Sequence, residues 1–162
     1  MSSVDKNLKQ NIIVREMTMT DLPRVVHLEK LIFPDPWPES AFMELITESG
    51  WGALTAEAND LVVGYACYYI VADEAHLTNI AVDPDYRRKS VASKLLERIL
   101  QVAQDNRCEH LLLEVRVGNI EAREFYKRHG FTMLHRRPKY YRHPVEDALV
   151  MVRYLGKDKE GL

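Results

Sequence analysis

The stretch Val82-Asp83-Pro84-Asp85-Tyr86-Arg87-Arg88-Lys89-Ser90-Val91-Ala92-Ser93 constrains the fold more than any other part of the chain. It ends an apolar run, turns through Asp-Pro-Asp and lays down three cations. A helix then opens in which Val91, Leu95, Ile99, Val102 and Ala103 recur at helical spacing. A strand, a turn and a helix N-terminus in that order bring unpaired backbone N–H groups and the positive end of the helix dipole to one point, a common way of holding a phosphate. The three cations oppose that dipole, at a cost of a few tenths of a kcal/mol each unless an anion neutralises them. The alternative is a solvated basic surface. No Gly-x-x-x-x-Gly-Lys-[Ser/Thr] run is present, which sets a nucleoside triphosphatase aside.

Any such anion site must be local. The formal charge is −2 and the pI about 6.3, so there is no global basic field and no direct nucleic-acid partner is expected. Cys67 and Cys108 stand far apart with no Cys-x-x-Cys, and the six histidines form no His-x-x-x-His pair. Neither a disulfide framework nor a metal site is signalled, and the cytoplasm is the expected compartment. The first ten residues lack an apolar core, and no apolar run reaches the roughly 18 residues of a membrane span, so no membrane partner is expected. A single domain over 11–155 is expected, with flexible termini at 1–10 and 156–162, working as a monomer or weak dimer.

Ile12 and Val14 begin a short strand, and Thr18-x-x-Asp21 reads as a capping box before a helix carrying Val25, Leu28, Glu29 and Ile32. Three prolines in Phe33-Pro34-Asp35-Pro36-Trp37-Pro38 forbid helix there, which predicts a stiff, exposed aromatic loop before a second helix near Glu39. Trp51–Glu57 and Leu61–Val71 suit a hairpin across Ala58-Asn59-Asp60, and His76–Val82 is the next strand. After the helix from Ser90, Glu109–Arg116 is a strand, Asn119–His129 a helix ended by Gly130, and Phe131–His135 and Ala148–Tyr154 two more strands. The order β-α-α-β-β-β-α-β-α-β-β is neither a clean βαβ repeat nor all-β. It predicts an α/β (α+β) fold with one mixed sheet and helices on both faces.

Residues 78–92 resemble the acetyl-CoA-binding segment of the GNAT superfamily of N-acetyltransferases, whose pattern after a strand is [Arg/Gln]-x-x-Gly-x-[Gly/Ala]; the phase fits Arg87-x-x-Ser90-x-Ala92. Leu113-Glu114-Val115-Arg116, Asn119, Phe125-Tyr126, Gly130-Phe131, Tyr140-Tyr141, Glu146-Asp147-Ala148 and the Phe33–Trp37 loop follow in the order of one subfamily, the bacterial ribosomal-protein N-terminal alanine acetyltransferases. The likeness spans about residues 11–155. It implies the GNAT fold: one mostly antiparallel sheet of about seven strands, splayed between the fourth and fifth.

The resemblance also implies a site. Backbone groups at Ile80, Ala81 and Val82 would pair with the pantetheine arm of acetyl-CoA, and Arg88, Lys89, Ser90, Val91, Ala92 and Ser93 would hold its pyrophosphate, with Arg87 assisting. Glu114 matches the family's proton acceptor and Tyr126 its proton donor to the departing thiolate. Asn119 matches a CoA contact. From the residues alone, Glu114 is also readable as a salt-bridged strand-end acid, Tyr126 as core and Asn119 as an N-cap. Ser90 departs from the family glycine. If the position needs positive φ, serine costs about 1–2 kcal/mol; if it needs only close approach, the small side chain fits. Tyr140, Tyr141 and the 33–38 loop are expected either to flank an acceptor groove or to form an apolar lid. The expected reaction is direct transfer from acetyl-CoA, with no metal, to a protein N-terminus, the N-terminal alanine of a small-subunit ribosomal protein. A lysine, polyamine or other small amine is the alternative acceptor, and a non-catalytic CoA-binding module the alternative class.

Overall fold

The computed structural model describes residues 11–156, so the expected flexible termini lie, Gly156 apart, outside the described residues. Seven strands and four helices alternate in the expected order: β1 Ile12–Glu16, α1 Leu22–Ile32, α2 Glu39–Thr47, β2 Trp51–Ala58, β3 Leu61–Val71, β4 Glu74–Val82, α3 Val91–Asp105, β5 His110–Arg116, α4 Ile120–Arg128, β6 Thr132–Arg142 and β7 Val145–Tyr154. They form one sheet of order β1-β2-β3-β4-β5-β7-β6. Every neighbouring pair is antiparallel except β4 and β5.

Local chemistry explains the joints. Asn59 and Asp60 carry φ of 51° and 65°, the two left-handed residues that a tight β2–β3 turn needs to match strand twist. The Thr18 N–H donates to Asp21 Oδ2 at 2.8 Å, so the capping box is real, but it closes a short 3-10 turn, Met19–Asp21, that runs into α1. Arg15 clamps the same Asp21 carboxylate with both terminal nitrogens, at 2.8 and 2.9 Å. Gly130, at φ 85°, ends α4 as expected, and the following Phe131 N–H returns to Tyr126 O.

The period-two alternation of β3 divides the core. Tyr65 and Cys67 pack with Leu28 and Phe42 on the α1–α2 side, while Ala66 and Tyr68 pack with Leu95, Leu96 and Ile99 of α3 on the other. Helices therefore cover both faces. Each apolar stripe is anchored by fully buried side chains, Val25 and Leu28 on α1 and Leu95 and Leu96 on α3.

Two expectations need correction. The 33–38 loop is not an exposed aromatic loop: Phe33 and Trp37 are half-buried against the α1–α2 core, Trp37 lies 5.6 Å from the Phe42 ring, and only the prolines and Asp35 face solvent. Burial of aromatic surface outweighs the polar appearance of the loop. The last hairpin is also longer than its apolar runs suggest. β6 continues from the expected end at His135 to Arg142, and β7 starts at Val145 rather than Ala148. β6 is an edge strand, exposed along almost its whole length, with Pro138 inside a register shift between Arg137 and Tyr141, so apolar alternation does not mark it.

Candidate active site

β4 and β5 pair in parallel only from Glu74↔His110 to Leu77↔Leu113. At that point the β3–β4 register shifts, with Cys67 opposite Asn79 and Tyr68 opposite Leu77, so Thr78 is an extra residue in β4. A bulge bends the strand that carries it. Beyond it, Ile80, Ala81 and Val82 keep their β3 partners Ala66, Tyr65 and Gly64 but have no strand partner on the β5 side among the described residues. β5 meanwhile continues along β7, with Glu114↔Val150 and Arg116↔Ala148. The result is a wedge-shaped gap bounded on one side by an unpaired strand edge. Such an edge takes an extended chain as an added strand, through main-chain hydrogen bonds.

The gap leads to the opening of α3. Asp83 is buried, its N–H donates to Val63 O at 2.8 Å, its Oδ1 accepts from the Asp85 N–H, and Arg24 of α1 pairs with its Oδ2. Arg87, Arg88, Lys89 and Ser90 are all exposed beyond this anchor, Lys89 reaching back over the Tyr86 ring at 5.2 Å. Ser90 caps α3 with φ 65° and ψ 16°, and its side chain makes no capping hydrogen bond. Arg88, two residues earlier, is also left-handed at φ 61°. The position does require positive φ. Two non-glycine residues in that region each cost on the order of 1–2 kcal/mol, local strain of the kind that collects at functional sites. At the start of the helix the N–H groups of Val91, Ala92 and Ser93 take no capping side chain, while the Lys94 N–H reaches Ser90 O at 3.0 Å. Uncapped N–H groups at the start of a long helix suit an anion.

Val91 and Ala81 are themselves buried, so they offer the gap backbone rather than side chain. Gly64 of β3 makes this possible: a Cβ there would stand 2.9 Å from both Ala81 O and Val91 Cγ1. Helix and strand approach each other across that glycine.

On the β5 side, Glu114 follows the last parallel pair by one residue, on the face opposite Leu113 and Val115. Its side chain is 21% exposed, with the Arg137 guanidinium 3.5 Å from Oε1, at the long limit of an ion pair. Arg137 stacks on Tyr140 at 4.4 Å, and Arg116, paired with Glu146, stacks on Tyr141 at 4.2 Å. Burial first, then the charge of Glu114, pushes the Tyr141 hydroxyl up to about 12. Tyr126 belongs to the other face, in the core with Leu113, Val115 and Phe131, and burial pushes its hydroxyl well above the ordinary tyrosine value, with Tyr141 adding to it. Glu114 thus stands on one face of β5, and Tyr126 belongs to the core that buries the other. Asn119 is exposed and caps α4, its Oδ1 accepting from the Ala122 N–H at 3.1 Å, so the N-cap reading holds.

The Acetyltransferase (GNAT) family profile matches residues 22–131, which take in the β4–α3 junction, Glu114 and Tyr126. The chain belongs to the GNAT acetyltransferase family. A relative from Escherichia coli K12 named as a [ribosomal protein bS18]-alanine N-acetyltransferase is 34% identical over 142 residues, covering 85% of this chain and 94% of the relative. An N-alpha-acetyltransferase of Saccharolobus solfataricus is 29% identical over 168 residues, covering 96% of this chain and all of the relative. Among solved structures, the Escherichia coli ribosomal-protein-S18-alanine N-acetyltransferase superposes with a TM-score of 0.82 at 31% identity, covering 91% of this chain and 98% of that one.

Within this GNAT enzyme, sequence reasoning missed Gly64 and the Arg24–Asp83 pair. A lone glycine inside a β-branched, aromatic strand is a legible sign of close backbone approach. The ion pair, 59 residues apart in sequence, left no sign. Both cysteines are free and buried, and burial pushes both thiols up, Cys67 strongly so. A thiol held protonated is a poor acyl carrier.

Proposed function

We propose that this acetyltransferase moves acetyl from acetyl-CoA directly to a protein N-terminal amine, and that the acceptor is the N-terminal alanine of a small-subunit ribosomal protein. The observation that carries the reading is the gap between β4 and β5, with an unpaired strand edge and an uncapped helix start on one side and Glu114 on the other. The named activities of the 34% and 29% identical relatives support the acceptor class.

In this reading Ile80, Ala81 and Val82 pair with the pantetheine arm. The N–H groups from Arg88 to Ser93 receive the pyrophosphate, with Arg87 and Asn119 assisting. Acetyl-CoA supplies the activated acyl group. An α-amine has a pKa of about 8 against about 10.4 for lysine, so near pH 7 roughly a tenth of it is neutral, against less than a thousandth of a lysine. A modest base then suffices. Glu114, through water, takes the proton that the amine nitrogen loses as its bond to the acetyl carbon forms. As the carbon–sulfur bond breaks, Tyr126 faces a thiolate whose proton affinity is below that of a raised tyrosine. Tyr126 therefore works as a firmly protonated hydrogen-bond donor to sulfur, and the thiol is completed by a proton from solvent. The 33–38 loop and Tyr140–Tyr141 flank the acceptor.

Mass spectrometry of three acceptors tests this: a free Ala-leading peptide, its N-blocked copy with internal lysines, and spermidine. Acetylation of the free N-terminus alone is expected. Acetylation of the blocked peptide or of spermidine would overturn the acceptor, and acetyl-CoA binding without transfer to any amine would replace the enzyme by a binding module.

A further inference from the structure

Glu29 is 1% exposed, deep under α1, and no step above uses it. Its carboxyl oxygens meet donors from three separate elements. Oε1 accepts from the Tyr65 hydroxyl of β3 at 2.6 Å and from Asn79 Nδ2 of β4 at 2.8 Å; Oε2 accepts from the Trp37 backbone N–H at 3.0 Å. Asn79 is the residue next to the extra Thr78, where β4 leaves β5. One carboxyl group therefore ties the 33–38 loop to the strand edge that lines the gap.

Stability alone does not call for an acid here. Glu29 is 1% exposed and bonded to Tyr65 of the core that also holds Leu28 and Phe42, and an apolar side chain of similar volume in such a setting is often neutral or stabilising relative to a buried ionisable group. What an apolar residue would not do is hold the loop. Pro34, Pro36 and Pro38 have no N–H, which leaves Phe33, Asp35 and Trp37 as the only main-chain donors of the loop. Two of these three are taken by Glu29, Phe33 N–H by its main-chain oxygen at 3.0 Å and Trp37 N–H by its side chain. A hydrogen-bonded link from the loop main chain to β3 and β4 runs through this one carboxyl group.

We propose that Glu29 is the positioning residue that sets the acceptor loop against the cofactor edge of β4; this rests on the acceptor groove read above. Glu29→Gln keeps the volume, but its amide nitrogen faces a donor whichever way the group is turned. In this variant the Trp37 amide is expected to exchange with deuterium about tenfold faster, and KM for the acceptor peptide to rise about tenfold, while kcat and the acetyl-CoA Kd stay within about threefold of wild type. Tyr65→Phe, which removes one donor only, is expected to keep acceptor KM within about twofold. If Glu29→Gln does not fold, Tyr65→Phe with Asn79→Ala releases the carboxyl group from the sheet and is expected to show the same split. Equal losses of acceptor and acetyl-CoA binding, or an unchanged acceptor KM with an unchanged Trp37 exchange rate, would overturn the proposal. If the wild type acetylates no N-terminus the acceptor reading fails, and exchange at Trp37 still decides whether Glu29 holds the loop.

Discussion

The two sides of the β4–β5 gap are built in different ways. The β4–α3 side is held by backbone: an unpaired strand edge, two left-handed residues, an uncapped helix start and a glycine that lets helix and strand meet. The β5–β7–β6 side is held by side chains, with Glu114, Arg137, Tyr140, Arg116, Tyr141 and Glu146 in a chain of ion pairs and stacked rings at half-exposed positions. A surface made of backbone fits one ligand shape and tolerates many sequences. A surface made of side chains changes with each substitution.

The comparison breaks most visibly at Glu114. Glu114→Gln keeps the shape and removes the proposed base, so kcat is expected to fall by about 10²–10⁴ with the acetyl-CoA Kd unchanged, as steady-state kinetics beside a binding titration would read. Loss of both would mean that the two sides are one site energetically. Gly64→Ala probes the other side: a methyl group 2.9 Å from Ala81 O and Val91 Cγ1 forces helix and strand apart, at a cost of about 1–3 kcal/mol. Weaker acetyl-CoA binding and a lower Tm are expected together, with the acceptor KM little changed.

Asp21 bonds to Arg15 and Thr18 and to neither side of the gap, and serves as a control. The Arg15 guanidinium holds its carboxyl below the usual carboxylate range, against the opposing effect of burial. Because the folded value is depressed, the stability it contributes is complete above the unfolded value near 4 and is lost as pH falls through the folded value. Asp21→Asn is expected to cost about 1–3 kcal/mol at pH 7 by denaturant unfolding, the deficit shrinking below about pH 4, with both ligand affinities unchanged. The smallest effect is expected at Ser90. Its side chain caps nothing and its φ is 65°, so Ser90→Gly is expected to bind acetyl-CoA as well or up to about fivefold better, by calorimetry. A marked loss would make the hydroxyl a ligand.

The same contrast decides what was legible in the sequence. Val91, Leu95 and Ile99 repeat at helical spacing because α3 buries one face, and the strand before them is apolar because β4 is covered on both sides, so the junction could be read without coordinates. The requirement for positive φ at Ser90 was visible only as an alternative, since nothing in a serine reports its backbone. On the other side, β6 beyond His135 reads as a polar loop because an exposed edge strand has no apolar face to repeat. The prolines place the 33–38 loop, but its exposure is not legible, because Phe33 and Trp37 turn inward on the α1–α2 core, Trp37 against Phe42, partners that local sequence does not specify. Periodicity groups Glu29 with Val25, Leu28 and Ile32 on α1; its burial and its three partners, eight to fifty residues away, leave no local sign.

The most direct test of the gap as the cofactor site is amide hydrogen exchange with and without acetyl-CoA. Slowed exchange is expected at Ile80–Val82 and at Ser90–Ser93, with residues 139–142 of β6 unaffected until an acceptor peptide is added. Protection confined to β6–β7, or none at Ile80–Val82 under saturating acetyl-CoA, would contradict the account.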